Sequence, residues 1–311
     1  LPLFHCFGLY EGPLMSALVG ARMVLTTVFD PEESLRLIER ERVTLIHGFD
    51  THFQALVDYP AIGETDRSSL RTGLFAAGMA SSEPAARRTQ ELLFSTITGW
   101  GMTEVGVGAA LSYLDSSEDD RCLASGYPLP GYEFKIIDPQ TGENMPSGGM
   151  GELCVRGYAT TPGYYKIPLE MAKVLDSEGW FHTGDVATLR DDDCLRFFGR
   201  YKDLLKVGGE NVDPVEVEAF LLEHPAINKV QVVGVPDPRL SEVACACVVL
   251  HNDQQLTPAD LDSFCRGKMA SFKIPQHLVT MTDYPMTSSG KVQKFLLREI
   301  AAEELGLSSE W

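Results

Sequence analysis

Basic side chains are few in this chain of 311 residues: 26 Lys and Arg stand against 44 Asp and Glu, for a formal net charge of -18. Such a surface repels phosphate, which excludes a general nucleic-acid binder and a protein that lies on anionic membranes. Any anionic ligand then needs local basic groups, a metal ion or backbone N–H donors. Long apolar runs are also missing. No stretch reaches the ~18 residues of a transmembrane helix, and no signal peptide is visible. The seven cysteines are odd in number and irregularly spaced, with no CxxC pair. That pattern argues against a zinc site and fits a reducing cytoplasm, the expected location. Cys245 and Cys247 fall in the apolar run 243–250, where burial in a strand is their expected use. There is no internal repeat and no low-complexity tract. The chain opens Leu1-Pro2-Leu3-Phe4-His5 without an initiator Met, as if cut from a longer sequence.

What is present suffices for ordinary folded cores: hydrophobic residues make up 44%. The length exceeds one typical domain. Up to about residue 110, short apolar runs at 23–27, 45–49 and 74–77 read as strands. Amphipathic stretches lie between them. In residues 32–41, Leu35 and Ile38 recur at helical spacing behind the start signal Asp30-Pro31. This alternation is an α/β pattern. From Gly126 to Gly199, Gly and Pro punctuate strand-like runs at 132–137, 151–156 and 193–198, a mostly β region.

Another unit begins near residue 202. Asp213-Pro214-Val215-Glu216 opens a helix with Asp at the N-cap and Pro at the first position. Strands at 230–235, 243–250 and 277–281 follow, with helices from Thr257 and near 295–305. The expected domains are therefore 1–201 and 202–311, the second a compact α+β unit.

Four motifs carry chemistry. In Thr98-Gly99-Trp100-Gly101-Met102-Thr103-Glu104, the glycines let backbone approach a ligand. Trp100 offers a face for stacking a base, Thr103 a hydroxyl for phosphate, and Glu104 a carboxylate for Mg²⁺. The plainer reading is a glycine-rich turn with a half-buried Trp. In Gly179-Trp180-Phe181-His182-Thr183-Gly184-Asp185, the Asp is placed to accept two ribose hydroxyls, or else it closes a turn. In the stretch from Gly199 to Pro214, the basic residues Arg200, Lys202 and Lys206 cluster in an otherwise acidic chain, as anion contacts or as a solvated hairpin. In Tyr284-Pro285-Met286-Thr287-Ser288-Ser289-Gly290-Lys291, a Lys at a loop tip can reach an anionic oxygen, or is a surface Lys.

Together, in this order, the four motifs resemble the adenylate-forming superfamily of acyl-CoA synthetases, luciferases and peptide-synthetase adenylation domains. The likeness runs from Leu1 to about Arg298. Minor matches are Leu3-Phe4-His5-Cys6-Phe7-Gly8, Gly151-Glu152-Leu153-Cys154-Val155-Arg156-Gly157 and Gly163-Tyr164-Tyr165. The resemblance implies an α/β fold: part of a large α/β plus β-rich N-terminal domain, followed by a small mobile α+β C-terminal domain. It implies activation of a carboxylic acid with ATP and Mg²⁺, then transfer of the acyl group to CoA.

The resemblance also implies roles. Gly78, Met79 and Ala80 line the adenine pocket. Trp100, beside Gly101, stands where the family usually has Tyr against adenine. Thr103 touches the α-phosphate and Glu104 the Mg²⁺. Asp185 and Arg200 hold the ribose, Lys202 is the hinge, and Gly209 lies along the pantetheine channel. Lys291 binds the attacking carboxylate and the phosphate, and His5 lies beside the acyl pocket. The family's Ser/Thr/Gly-rich phosphate loop ending in Pro-Lys-Gly is not found in this sequence. The chain is therefore expected to be the C-terminal part of a ligase. The segments 48–53 and 73–78 look most like the medium- and long-chain fatty acid branch. No carrier segment follows Trp311, which argues against a peptide-synthetase module. A homo-oligomer is compatible with this reading. The alternative is a truncated, non-catalytic relative that binds an acyl-adenylate or acyl-CoA.

Overall fold

The computed structural model describes residues 1–76, 82–287 and 292–307. The chain separates into two compact units, Leu1–Phe198 and Gly199–Trp311.

The first unit holds two sheets. One has five strands in sequential order: β1 (Gly48–Phe49), β2 (Leu74–Ala76), β3 (Ile97–Trp100), β4 (Ala110–Leu111) and β5 (Tyr127–Pro128). β1, β2 and β3 are parallel, and the pairs β3–β4 and β4–β5 are antiparallel. The helices Asp50–Val57 and Glu83–Leu92 are the crossovers that parallel pairing requires. Helix Pro31–Glu41 starts where expected: the Asp30 carboxylate accepts the Glu33 N–H at 2.8 Å. Its Leu35 and Ile38 join Phe53, Leu56 and Phe75 in one core. Phe53 is fully buried and stacks on Phe75 at 5.1 Å between centroids. Burial of such a ring contributes about 2–3 kcal/mol.

Residues 23–27 are the exception to the sequence reading. They form no strand, and Val24 and Leu25 are exposed. An apolar run supplies half of a ladder only, and among the described residues no neighbouring strand pairs with it.

The second sheet is antiparallel, in the order β6 (Tyr132–Ile137), β7 (Gly151–Gly157), β8 (Phe181–Leu189) and β9 (Leu195–Arg200). Alternate residues divide between its faces. Ile136, Leu153, Val155 and Ala187 enter a core with Trp100 and Val105, while Ile137, Cys154 and Trp180 cluster on the other face.

The C-terminal unit is built on a long hairpin. β12 (Ile227–Asp237) and β13 (Ser241–Leu250) pair from Ile227↔Leu250 to Asp237↔Ser241. β13 also pairs with β10 (Leu205–Val207), which pairs with β11 (Glu210–Val212), and takes β14 (His277–Thr280) as a parallel neighbour. The helices Pro214–Leu221, Pro258–Cys265 and Lys294–Glu304 complete the unit. Val217, Leu221, Leu261, Cys265 and Leu297 are buried against the sheet. Cys245 and Cys247 are fully buried in β13, as the apolar run predicts. Among the described residues no helix is long and apolar enough to cross a membrane.

Candidate active site

The turn after β3 forms the first wall of the candidate site. Trp100 ends the strand, and the backbone passes through a short 3₁₀ helix, Thr103–Val105, toward β4. The Met102 carbonyl accepts the N–H groups of Val105 and Val107 at 3.2 and 3.0 Å. Tyr132 donates its hydroxyl to the Val105 carbonyl at 2.6 Å, and the Thr161 N–H donates to the Glu104 carbonyl at 2.7 Å. Burial raises the Tyr132 phenol, which keeps it a donor. Gly101 is required by close approach: a Cβ there would lie 1.6 Å from the Val107 carbonyl oxygen. Val107 itself sits at φ 84°, in the left-handed region that a β-branched residue avoids. Such a conformation costs about 1–3 kcal/mol and persists only when the surroundings hold it.

The second wall is an irregularity in β8. Cys154 of β7 pairs with His182, yet Glu152, two residues back, pairs with Val186, four residues on. β8 therefore carries a bulge at Thr183-Gly184-Asp185, a device that re-aims a side chain. Each residue of the motif has a part in it. Thr183 donates its hydroxyl to the Leu153 carbonyl at 2.7 Å and accepts the Asp185 N–H at 3.0 Å. Gly184 takes φ 70°, and its N–H donates to the Glu152 carboxylate at 3.0 Å. Asp185 thus sits within a strand and does not close a turn.

The two walls meet. The indole N–H of Trp100 donates to Asp185 Oδ2 at 3.0 Å, and both residues are buried, 6% and 3% exposed. Phe134 packs edge-on against the Trp100 ring, 5.8 Å between centroids. The Trp is thus buried rather than half-buried.

Thr103 is exposed at the rim, its Oγ1 3.4 Å from Cys6 Sγ. Glu104 accepts the Tyr164 hydroxyl at 3.0 Å through Oε1. His5 caps the helix Cys6–Leu9, its Nδ1 accepting the Phe7 N–H at 3.2 Å, and its ring stands edge-on to Phe49 at 6.4 Å. His5, Cys6, Thr103, Glu104 and Tyr164 therefore run along one continuous set of contacts. Glu104 offers a half-buried, oriented carboxylate, a hard oxygen donor of the type that fits Mg²⁺.

In the C-terminal unit, Arg200 is half-buried at the end of β9, and Lys202 is exposed on the turn Tyr201–Asp203. Gly209 is exposed at φ 93° between β10 and β11. Gly78, Met79, Ala80 and Lys291 lie outside the described residues.

Three contributors had no role assigned from sequence: Cys6, Glu152 and Tyr164. Glu152 and Tyr164 each stand in a recognisable motif, Gly-Glu-Leu and Gly-Tyr-Tyr. Their partners lie 32 and 60 positions away, so the motifs gave the signal but not the contact.

A parallel-to-antiparallel sheet and a β-rich layer, followed by a small α+β unit, make up the fold of an adenylate-forming enzyme. It is shared with the crystal structure of ATP-bound MatB from Rhodopseudomonas palustris, at TM-score 0.89 and 28% identity, over 98% of this chain and 59% of that one. It is shared also with o-succinylbenzoate CoA synthetase (MenE) from Bacillus subtilis in complex with its acyl-adenylate intermediate OSB-AMP, at TM-score 0.82 and 30% identity, over 96% and 59%.

Residues 1–165 match the AMP-binding enzyme family and residues 216–291 match the AMP-binding enzyme C-terminal domain; the chain belongs to the AMP-binding enzyme family. Among its relatives is YngI of Bacillus subtilis (strain 168), provisionally named an acyl-CoA synthetase, 40% identical over 99% of this chain and 56% of its own length. Another is the mitochondrial medium-chain acyl-CoA ligase ACSF2 of Danio rerio, 36% identical over 99% of this chain and 51% of its own. The chain spans about half the length of the curated relatives it matches.

Proposed function

We propose that this chain serves in an AMP-forming acyl-CoA ligase, which joins a carboxylic acid to ATP as an acyl-adenylate and then passes the acyl group to CoA. The observation that carries this reading is the hydrogen bond from Trp100 to Asp185. It joins two motifs 85 positions apart and puts an aromatic ring, a buried carboxylate and the Thr103–Glu104 turn around one place. An adenosine phosphate needs that set of groups.

The chemistry follows from charge. A carboxylate oxygen must attack the α-phosphorus while pyrophosphate leaves, so two anions have to be brought together. Thr103 would donate to an α-phosphate oxygen, and Asp185 and Arg200 would hold the ribose. Gly78, Met79 and Ala80 would bound the base through their backbone, and Gly101 keeps the turn tight beneath it. Glu104 would hold Mg²⁺, which when bound offsets phosphate charge. Lys291 would align the attacking carboxylate as a point charge. In the second half-reaction the CoA sulfur attacks the acyl carbon, AMP leaves, and the thioester forms. The acyl chain would pass near His5 and the pantetheine arm along Gly209.

For the domains, residues 1–201 would act as part of the large AMP-binding domain and 202–311 as a small mobile domain. Lys202 would be the hinge between adenylation and thioester formation. The acid we favour is a medium- or long-chain fatty acid, supported by the motif likeness at 48–53 and by the relatives named medium-chain ligases. A cytoplasmic setting is supported by seven free cysteines.

The test is calorimetric titration of this chain with a non-hydrolysable acyl-adenylate carrying a medium fatty chain. Saturable binding that weakens about tenfold or more in Asp185→Ala is expected, for the loss of a charged hydrogen-bond acceptor. Equal affinity in the variant refutes the assignment of Asp185. Binding without acyl-CoA formation from ATP, acid and CoA favours the second reading, a relative that binds the adenylate without turnover.

A further inference from the structure

On the face of the β6–β9 sheet away from Trp100 lies a second group of reactive side chains, which the proposed reaction does not use. Glu152 and Cys154 project from β7, and His182 projects from the facing position of β8. We propose that these three residues bind one thiophilic divalent cation, zinc being the type example, on the other face of the sheet, with Glu152 also holding the Gly184 N–H of the bulge that carries Asp185.

The geometry carries the proposal. His182 Nδ1 lies 3.3 Å from Glu152 Oε2 and 3.6 Å from Cys154 Sγ. The three donor atoms all lie within 4.8 Å of one another. One ring nitrogen carries at most one proton, so it cannot serve both neighbours well as a donor. The Glu152 separation also exceeds the usual 2.7–3.2 Å of a good hydrogen bond. Around a tetrahedral zinc, bonds of about 2.1 Å to N and O and about 2.3 Å to S give N–O and N–S edges of about 3.4 and 3.6 Å. The separations of 3.3 and 3.6 Å from His182 Nδ1 are close to those two edges.

The surroundings hold the donors as metal ligands are held. His182 Nε2, the other ring nitrogen, lies 3.8 Å from Asp176 Oδ2, an electrostatic contact longer than a hydrogen bond. Asp176 in turn accepts the N–H groups of Glu178 and Trp180, both at 2.9 Å. The second oxygen of Glu152 is fixed by the Gly184 N–H. Lys135, the register partner of Cys154, has its ammonium over the Trp180 ring at 4.4 Å. Cys154 is buried while Glu152 and His182 are half-buried, so a cation enters from the carboxylate side and a water fills the fourth position. On binding, the thiol proton passes to solvent and the sulfur ligates as thiolate. With one Cys two residues from a Glu and a His 28 positions on, the site has none of the spacings that announce zinc in a sequence.

The experiment is titration of the chelator-treated chain with Co²⁺, read as the near-ultraviolet thiolate-to-cobalt band and the visible bands of a tetrahedral ion. One Co²⁺ per chain is expected, displaced by Zn²⁺. The band is expected to vanish in Cys154→Ser and to persist in Cys6→Ser, and Glu152→Gln is expected to weaken affinity about tenfold or more. Circular dichroism verifies that each variant is folded, and His182→Asn, which keeps the thiol, must also lose the tetrahedral bands. Absence of the band in the unsubstituted chain, or its persistence in Cys154→Ser, overturns the proposal.

Discussion

Replacing Glu218 with alanine should destabilise the C-terminal unit by about 2–4 kcal/mol, chiefly by leaving a buried N–H without its acceptor. Glu218 is 1% exposed on helix Pro214–Leu221. Its Oε1 accepts both the Val232 N–H at 2.8 Å and the Lys294 ammonium at 2.9 Å. Truncation leaves the buried Val232 N–H without its acceptor, at about 1–3 kcal/mol. It also removes one buried methylene, worth about 0.8 kcal/mol. Lys294, 29% exposed, re-solvates and adds little. Glu218→Gln keeps an oxygen for Val232 and should cost only about 1–2 kcal/mol. The assay is hydrogen exchange of the β12 peptide, which reads opening of this unit alone. Protection there should fall about thirtyfold or more in Glu218→Ala, and clearly less in Glu218→Gln. Unchanged protection in Glu218→Ala, or equal loss in the two variants, would refute the reasoning.

Asp213 gives a pH-dependent prediction. Burial pushes its carboxyl up from the usual 3.8 to about 6. The folded state therefore binds its proton more tightly than the unfolded chain does. That stabilisation is fully present below about pH 3.8 and is lost as pH rises through about 6. Asp213→Asn keeps a good N-cap and removes the ionisation. It should be about 1–3 kcal/mol more stable than the parent at pH 7.5 and close to equal at pH 4, by urea melts at both. A difference independent of pH counts against the assignment. Gly101→Ala should destabilise the first unit by about 1–3 kcal/mol or more, because the atom that a Cβ would strike belongs to the Val107 backbone and no rotamer can relieve it. A melting temperature within error of the parent would show that the turn relaxes freely.

The parts of this structure that sequence revealed are those fixed by local chemistry. Asp30, Asp213 and Thr257 cap helices, and each accepts a backbone N–H two or three residues on. Burial of Val217, Leu221, Leu261 and Cys265 follows from helical spacing. The parts that stayed hidden depend on distant partners. Nothing in residues 23–27 says whether a neighbouring strand exists. Nothing in Thr-Gly-Asp says that it is a bulge, since a bulge is a relation between two strands. The motifs located Trp100 and Asp185 separately, and only folding shows that one hydrogen-bonds the other. Glu152 matched a motif, but its carboxylate meets Gly184 only through the register of β7 and β8.

The distribution of thiols has a practical consequence. Six of the seven cysteines are buried, while Cys6 is half-buried and touches the Thr103 hydroxyl. A maleimide dye added to the native chain should therefore attach at one position, with no engineered cysteine. That position is the rim of the candidate nucleotide site, so the chain carries its own handle for watching a ligand arrive by fluorescence.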